Sequence, residues 1–245
     1  MPKTVSLLIG ALTLAAVVAA QAPPDRQQAR THNRLGWDLM TAESWEAAAR
    51  EFQQAIAIDR TFEDAHYGLG RAYIALRQYV LAIETLTTCR QLYVSQAGKQ
   101  FANQQDAQRF RQDRITEIDE QIRQVQGMPP TAQQQNLLRQ LNNQRRDIQN
   151  AIAKGSGMSI DATVPPWVSL SLGSAYFRSG KLTDAEREYK AAIAVDSKFG
   201  EAHNNLAVVY FETNRIAEAE ASLKDAKKAG FKVNPQLEQA IKGRK

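Results

Sequence analysis

Few residues of this sequence have the chemistry for catalysis or metal binding. The stretch DAHYGLGRAYIAL, Asp64 to Leu76, puts His66 and Tyr67 beside Gly68-x-Gly70. A histidine can shuttle protons or ligate a metal, and a Gly-x-Gly turn between strand and helix can cradle phosphate. The chain has three histidines, His32, His66 and His203, and one cysteine, Cys89. Each histidine stands three residues ahead of a leucine, Leu35, Leu69 or Leu206, so one packing pattern places all three. Equivalent positions in stacked elements lie about 10 Å apart, the spacing of packed helices, and do not converge on one ion. Gly68 and Gly70 fall inside a helix-period pattern with no strand before them, which argues against phosphate binding. No Gly-x-Ser-x-Gly, His-Glu-x-x-His or Walker loop occurs in the chain. The expectation is therefore no catalytic residue, no metal site and no cofactor, with Cys89 a buried and inert thiol.

The elements that position these residues repeat. HNRLGWDL from His32, HYGLGRAY from His66, VSLSLGSAY from Val168 and HNNLAVVY from His203 align in one phase. Leu35, Leu69, Leu172 and Leu206 form one column, and Gly36, Gly70, Gly173 and Ala207 the next. Thirteen residues after each leucine comes Ala48, Ala82, Ala185 or Ala219, then Phe52, Leu86, Tyr189 or Leu223, then a small residue, Ala55, Cys89, Ala192 or Ala226. The offset within each pair is 34 residues. These spacings give each predicted helix one apolar face, and the small residues mark where two helix backbones approach closely. Gly70→Leu is expected to cost about 1–3 kcal/mol by overpacking, and Leu69→Ala about 2–5 kcal/mol by leaving a cavity.

This pattern resembles the tetratricopeptide repeat family, in its exported bacterial form. Units starting at Ala29, Glu63, Pro166 and Gly200 match its Leu-Gly, Tyr, Ala and aromatic columns. The family's closing proline is absent from all four units, and its tryptophan is replaced by His32, His66, Ser169 and His203. The resemblance implies an all-α solenoid of helix-turn-helix units whose concave groove binds a protein or peptide. Positions 2, 5, 9 and 12 of each first helix line that groove in the family. Here they are Arg30, Asn33, Trp37 and Met40; Asp64, Tyr67, Arg71 and Ile74; Trp167, Leu170, Ser174 and Phe177; Glu201, Asn204, Val208 and Phe211. Neither the family's carboxylate clamp nor its asparagine ladder transfers, because Asn33 and Trp37 replace the clamp pair and position 6 reads Arg34, Gly68, Ser171, Asn205.

Residues 97–165 break the phase. This glutamine-rich segment divides at GMPPT, Gly127 to Thr131, into predicted helices at about 100–126 and 131–153, the second opened by a Thr131–Gln134 capping box. Val125 with Leu138, Ile122 with Leu141 and Ile115 with Ile148 share one constant index sum, as an antiparallel two-helix hairpin requires; Ile118 meets Arg145 in the same register. Arms of roughly 35–40 Å are expected to project beyond the stack, offering a second contact arm or a route to self-association through 100–153.

The ends carry their own signals. MPKTVSLLIGALTLAAVVAAQAPPD has a lysine, an apolar run from Val5 to Ala20 and small residues, the plan of a secretory signal peptide. The run falls short of the roughly 18 apolar residues of a spanning helix, favouring cleavage after Ala20 and a periplasmic or secreted protein over one anchored in an inner membrane. The single Cys89 forms no intramolecular disulfide and fits export. From Lys224 onward seven Lys or Arg face two Asp or Glu, an excess equal to the whole net charge of +5. The body is thus neutral and argues against nucleic acid, while the tail could touch an anionic membrane surface. NPQLEQAIK, with Asn234 as cap and Pro235 opening the turn, predicts a short helix closing the stack. The expected organisation is a signal peptide at 1–20, linker at 21–28, units one and two at 29–96, hairpin and return loop at 97–165, units three and four at 166–233, and capping helix with basic tail at 234–245.

Overall fold

A computed structural model describes residues 25–96, 100–101, 103–127, 132–154 and 163–244. The expected signal peptide, Thr131 and the loop at 155–162 lie outside them. Among the described residues the regular elements are eleven helices: α1 Arg26–Thr41, α2 Trp45–Ile58, α3 Glu63–Ala75, α4 Tyr79–Gln96, α5 Gln104–Gln126, α6 Ala132–Ala153, α7 Pro166–Arg178, α8 Leu182–Val195, α9 Gly200–Glu212, α10 Ile216–Lys228 and α11 Pro235–Lys242. None is long and apolar enough to cross a membrane. Helix α1 starts three residues ahead of Ala29, because the Asp25 side chain accepts the Gln28 amide at 3.0 Å and caps it there. Helix α5 starts at Gln104, where Asn103 accepts the Asp106 amide at 2.8 Å.

One turn joins the two helices of every unit. Glu43, Arg77, Gly180 and Asn214 occupy the same place in each and take φ of 56°, 60°, 78° and 59°. The next amide, of Ser44, Gln78, Lys181 or Arg215, donates back to Leu39, Tyr73, Tyr176 or Tyr210 at 2.8–2.9 Å. This bond closes a left-handed helix cap and satisfies carbonyls the helix end would otherwise orphan. Between units the absent proline is replaced by an aspartate turn. Asp59 accepts the Thr61 amide and Asp196 the Lys198 amide, both at 2.9 Å, while Phe62 and Phe199 are buried behind them.

The glycine column is a packing notch. A Cβ at Gly36, Gly70 or Gly173 would stand 2.7, 2.5 or 2.6 Å from Phe52, Leu86 or Tyr189 of the paired helix. The leucine column faces the preceding unit: Leu69, Leu172 and Leu206 are buried, whereas Leu35, with no described unit before it, is 45 % exposed. At the other end α11 packs on α10 and buries Ile241, with Asn234 accepting the Gln236 amide at 2.8 Å.

Helix α4 packs directly on α7, so the stack runs from α1–α4 into α7–α11 without a break. Arg90 of α4 donates to both oxygens of buried Glu188 on α8, at 2.8 and 3.0 Å, across that junction. The inserted α5 and α6 pair antiparallel, with Ile118, Ile122, Val125 and Leu141 buried and Leu138 and Ile148 packed against them. Arg145, opposite Ile118 in that register, donates to Asp119 at 2.9 Å, a polar contact between the two arms. The expectation that the hairpin projects beyond the stack is corrected: α5 lies against the solenoid, held by charged and amide side chains that the sequence presents as a solvated helix face.

Candidate functional site: the inner groove

Helices α1, α3, α7 and α9 stand side by side and form the inner wall. Helix α5 covers part of it. Glu117, 1 % exposed, accepts from Arg26 at 3.1 Å, Arg30 at 3.3 Å and Arg114 at 2.7 Å. Arg26 also binds Asp59 and Glu63, both at 2.9 Å, and Arg30 reaches Asp113 at 3.4 Å. Gln121 donates to Asp64 at 2.8 Å, and the Arg114 guanidinium lies 5.6 Å from the Tyr93 ring centre. Ile118, Ile122, Val125 and Leu141 share one apolar cluster with Trp167 and Leu170.

Burial and charge oppose one another here. Burial raises the Glu117 carboxyl, but Arg114, Arg26 and Arg30 outweigh it and hold the group below its ordinary value. Asp64 is pushed up to about 7, first by burial and then by Glu117, with Arg114 and the Gln121 amide pulling the other way. Of the expected groove residues, Arg30 and Asn33 on α1, Asp64 on α3 and Trp167 and Leu170 on α7 therefore sit beneath or beside the hairpin; Asn33 is 3 % and Trp167 7 % exposed.

The other expected residues form a partly open strip. Trp37 meets Phe52 edge-on at 5.4 Å and Tyr67 at 5.8 Å. Arg71 donates to the Tyr67 hydroxyl at 3.1 Å, and burial raises Glu201 against a smaller lowering by Arg71. Met40, Ile74, Ser174, Phe177, Val208 and Phe211 are half-buried along the same face, with Arg244 4.3 Å above the Phe211 ring. Asn204 Oδ1 is buried without a hydrogen-bond partner among the described residues.

The histidines hold turns. His66 Nε2 pairs with the Arg60 carbonyl and His203 Nε2 with the Ser197 carbonyl, each at 3.0 Å and six residues back, while His32 meets Glu51 at 2.8 Å. Cys89 is buried, donates to the Glu63 carbonyl at 3.3 Å, and its thiol is raised well above its ordinary value by burial. Among the described residues no three His, Cys, Asp or Glu side chains are grouped to hold a metal. Sequence reasoning misses Arg26, Arg114, Glu117 and Gln121, since a charged residue on a helix carries no mark of the partner it will meet. Arg26 falls within the expected linker.

The comparisons follow the same division of the chain. Two tetratricopeptide repeat models match, one over residues 39–91 and one over 170–230, on either side of the hairpin. Similar solved structures include TTC0263, a thermophilic TPR protein of Thermus thermophilus, at 18 % identity and TM-score 0.37, covering 88 % of this chain and 98 % of that one. PilW, a type IV pilus biogenesis factor, is similar at 14 % identity and TM-score 0.41 over 89 % and 86 %. YrrB, a TPR protein with an unusual peptide-binding site, is similar at 14 % and 0.30 over 90 % and 93 %. No curated protein matches the sequence. Two family models, four equivalent left-handed turns and one glycine notch meeting the same partner column agree: the chain belongs to the tetratricopeptide repeat family.

Proposed function

We propose that this protein is a non-catalytic scaffold that binds a protein or peptide in the open strip of its groove. The observation carrying this reading is the strip itself: Trp37, Tyr67, Phe177 and Phe211 leave apolar surface half-open around the cationic Arg71. Aromatic and arginine side chains in a concave, partly desolvated setting are the usual anchors of protein contacts. The contributors are Trp37, Met40, Tyr67, Arg71, Ile74, Phe177, Asn204 and Phe211, with Arg30, Asn33 and Trp167 behind the hairpin. The triple variant Trp37→Ala, Tyr67→Ala, Phe177→Ala should lose the partners that the intact protein retains after cross-linking and affinity purification; unchanged recovery contradicts the reading.

Helix α6, with Asn142, Asn143 and Arg146 exposed, is the second contact arm in this reading, and the same surface would carry self-association. A membrane role for the basic tail finds less support. Lys227 and Lys242 both bind Glu238, at 2.6 and 2.8 Å, and Lys228 binds Asp225 at 2.9 Å, so these cations pin or neighbour α11 and already have anionic partners. The N-terminal sequence supports export with cleavage after Ala20; terminal sequencing of protein recovered from outside the cytoplasm, beginning at Gln21, is the expected result.

A further inference from the structure

Three polar atoms on the seam between α5 and the solenoid are buried without a hydrogen-bond partner among the described residues: Arg30 Nε, Asn33 Oδ1 and Tyr93 OH. Arg30 contacts Asp113 and Glu117 of α5, Asn33 is one turn further along the same face, and the Tyr93 ring lies under Arg114. These atoms gain no hydrogen bond from the described protein groups around them to offset their burial, although the Arg30 guanidinium pairs through its other nitrogens. The rest of the seam is also costly to bury. It places Glu117 among three guanidiniums and forces Asp64 into the company of Glu63 and Glu117. The helices beneath do not need α5 for their own packing, because α3 packs on α4 and α4 on α7. Ile118, Ile122 and Val125 hold α5 in the apolar cluster with Trp167 and Leu170, but its charged and amide contacts lie over a floor with unmet hydrogen-bonding groups, and this polar half of the seam favours release.

We propose that α5 is a displaceable occupant of the groove: it swings off with α6 while the solenoid stays folded, and does so more readily as pH rises from mildly acidic to neutral. This regulation rests on the groove being the binding face, as proposed above. Its release would uncover Arg30, Asn33, Asp64, Trp167 and Leu170. The direction follows from linkage. Docked, Asp64 keeps a proton up to about pH 7; undocked, it returns toward its ordinary 3.8. Docking therefore takes up a proton between those values, so its advantage is complete below the lower one and lost as pH rises through about 7.

The groups facing Asp64 do not reverse this. From α5 they are Arg114, Glu117 and Gln121; from α4, Cys89 and Tyr93, whose burial keeps both neutral; from its own helix, Glu63. Glu117 is held below its ordinary value by Arg114, Arg26 and Arg30, so it takes up no proton on docking, and Glu120 of α5 is raised by burial, which acts in the same direction as Asp64. His66 of α3 is lowered by burial and turns to the Arg60 carbonyl.

Hydrogen exchange of the free, full-length chain tests release without any partner, so failure here is separable from failure of groove binding. The expected result is that α5 amides exchange through an opening that leaves α3, α4 and α7 protected. Their protection, corrected for intrinsic rate, should fall by up to about tenfold per pH unit between pH 5 and 7 and then level. Asp64→Asn should remove most of that slope, leaving the smaller part that Glu120 contributes, and Glu117→Gln should lower α5 protection throughout. Exchange of α5 only in concert with α3 and α4, or a slope unchanged in Asp64→Asn, overturns the proposal.

Discussion

At the scale of single residues, backbone strain and close packing set the sharpest expectations. Arg77 is exposed and sits at φ 60°, where a Cβ is penalised and glycine is not. Arg77→Gly should raise stability by about 0.5–1 kcal/mol in denaturant melts, and Gly180→Ala at the equivalent turn should lower it by a similar amount. The notch behaves oppositely: Gly70→Ala brings a Cβ within 2.5 Å of Leu86 and should cost about 1–3 kcal/mol. The leucine column is uneven for a reason visible only in the stack. Leu172→Ala, fully buried, should cost about 2–5 kcal/mol, whereas Leu35→Ala on the exposed face should stay under about 1 kcal/mol.

At the scale of elements, the direct packing of α4 on α7 makes the hairpin an insertion and not a link in the stack. Replacing residues 97–162 with a short Gly/Ser linker should leave a cooperatively unfolding helical protein, checked by circular dichroism through a urea titration; a broad, non-cooperative loss of helix would mean that α5 and α6 supply core. The repeat columns, the two helices of the insertion and α11 were legible in the sequence because periodic burial writes itself into residue type. What was not legible was where the hairpin lies. Its docking depends on Glu117 meeting Arg26 and Arg30 from 91 and 87 residues away, and on Gln121 meeting Asp64. Pairings between side chains so distant leave no periodic trace, so a buried carboxylate reads as a surface one. The histidines show the converse: their shared column was legible, and its purpose, tying His66 and His203 to the preceding turn, follows from the short loops that bring those carbonyls within reach.

At the scale of the whole molecule, the stack divides its labour between a convex side and an inner wall that holds most of the expected contact residues. The hairpin shades Arg30, Asn33, Asp64, Trp167 and Leu170, leaving Trp37, Arg71, Phe177 and Phe211 as the accessible run. Binding there requires no chemistry from the protein, only a surface held rigid by repeat packing. The most direct measurement is site-specific photo-cross-linking in the native host, with the reactive side chain placed at Phe177 in the groove or at Val80, an exposed residue of α4. Adducts with a discrete partner at Phe177 and none at Val80 are the predicted result. Adducts at Val80 alone, or at neither position, would contradict a groove that works by binding.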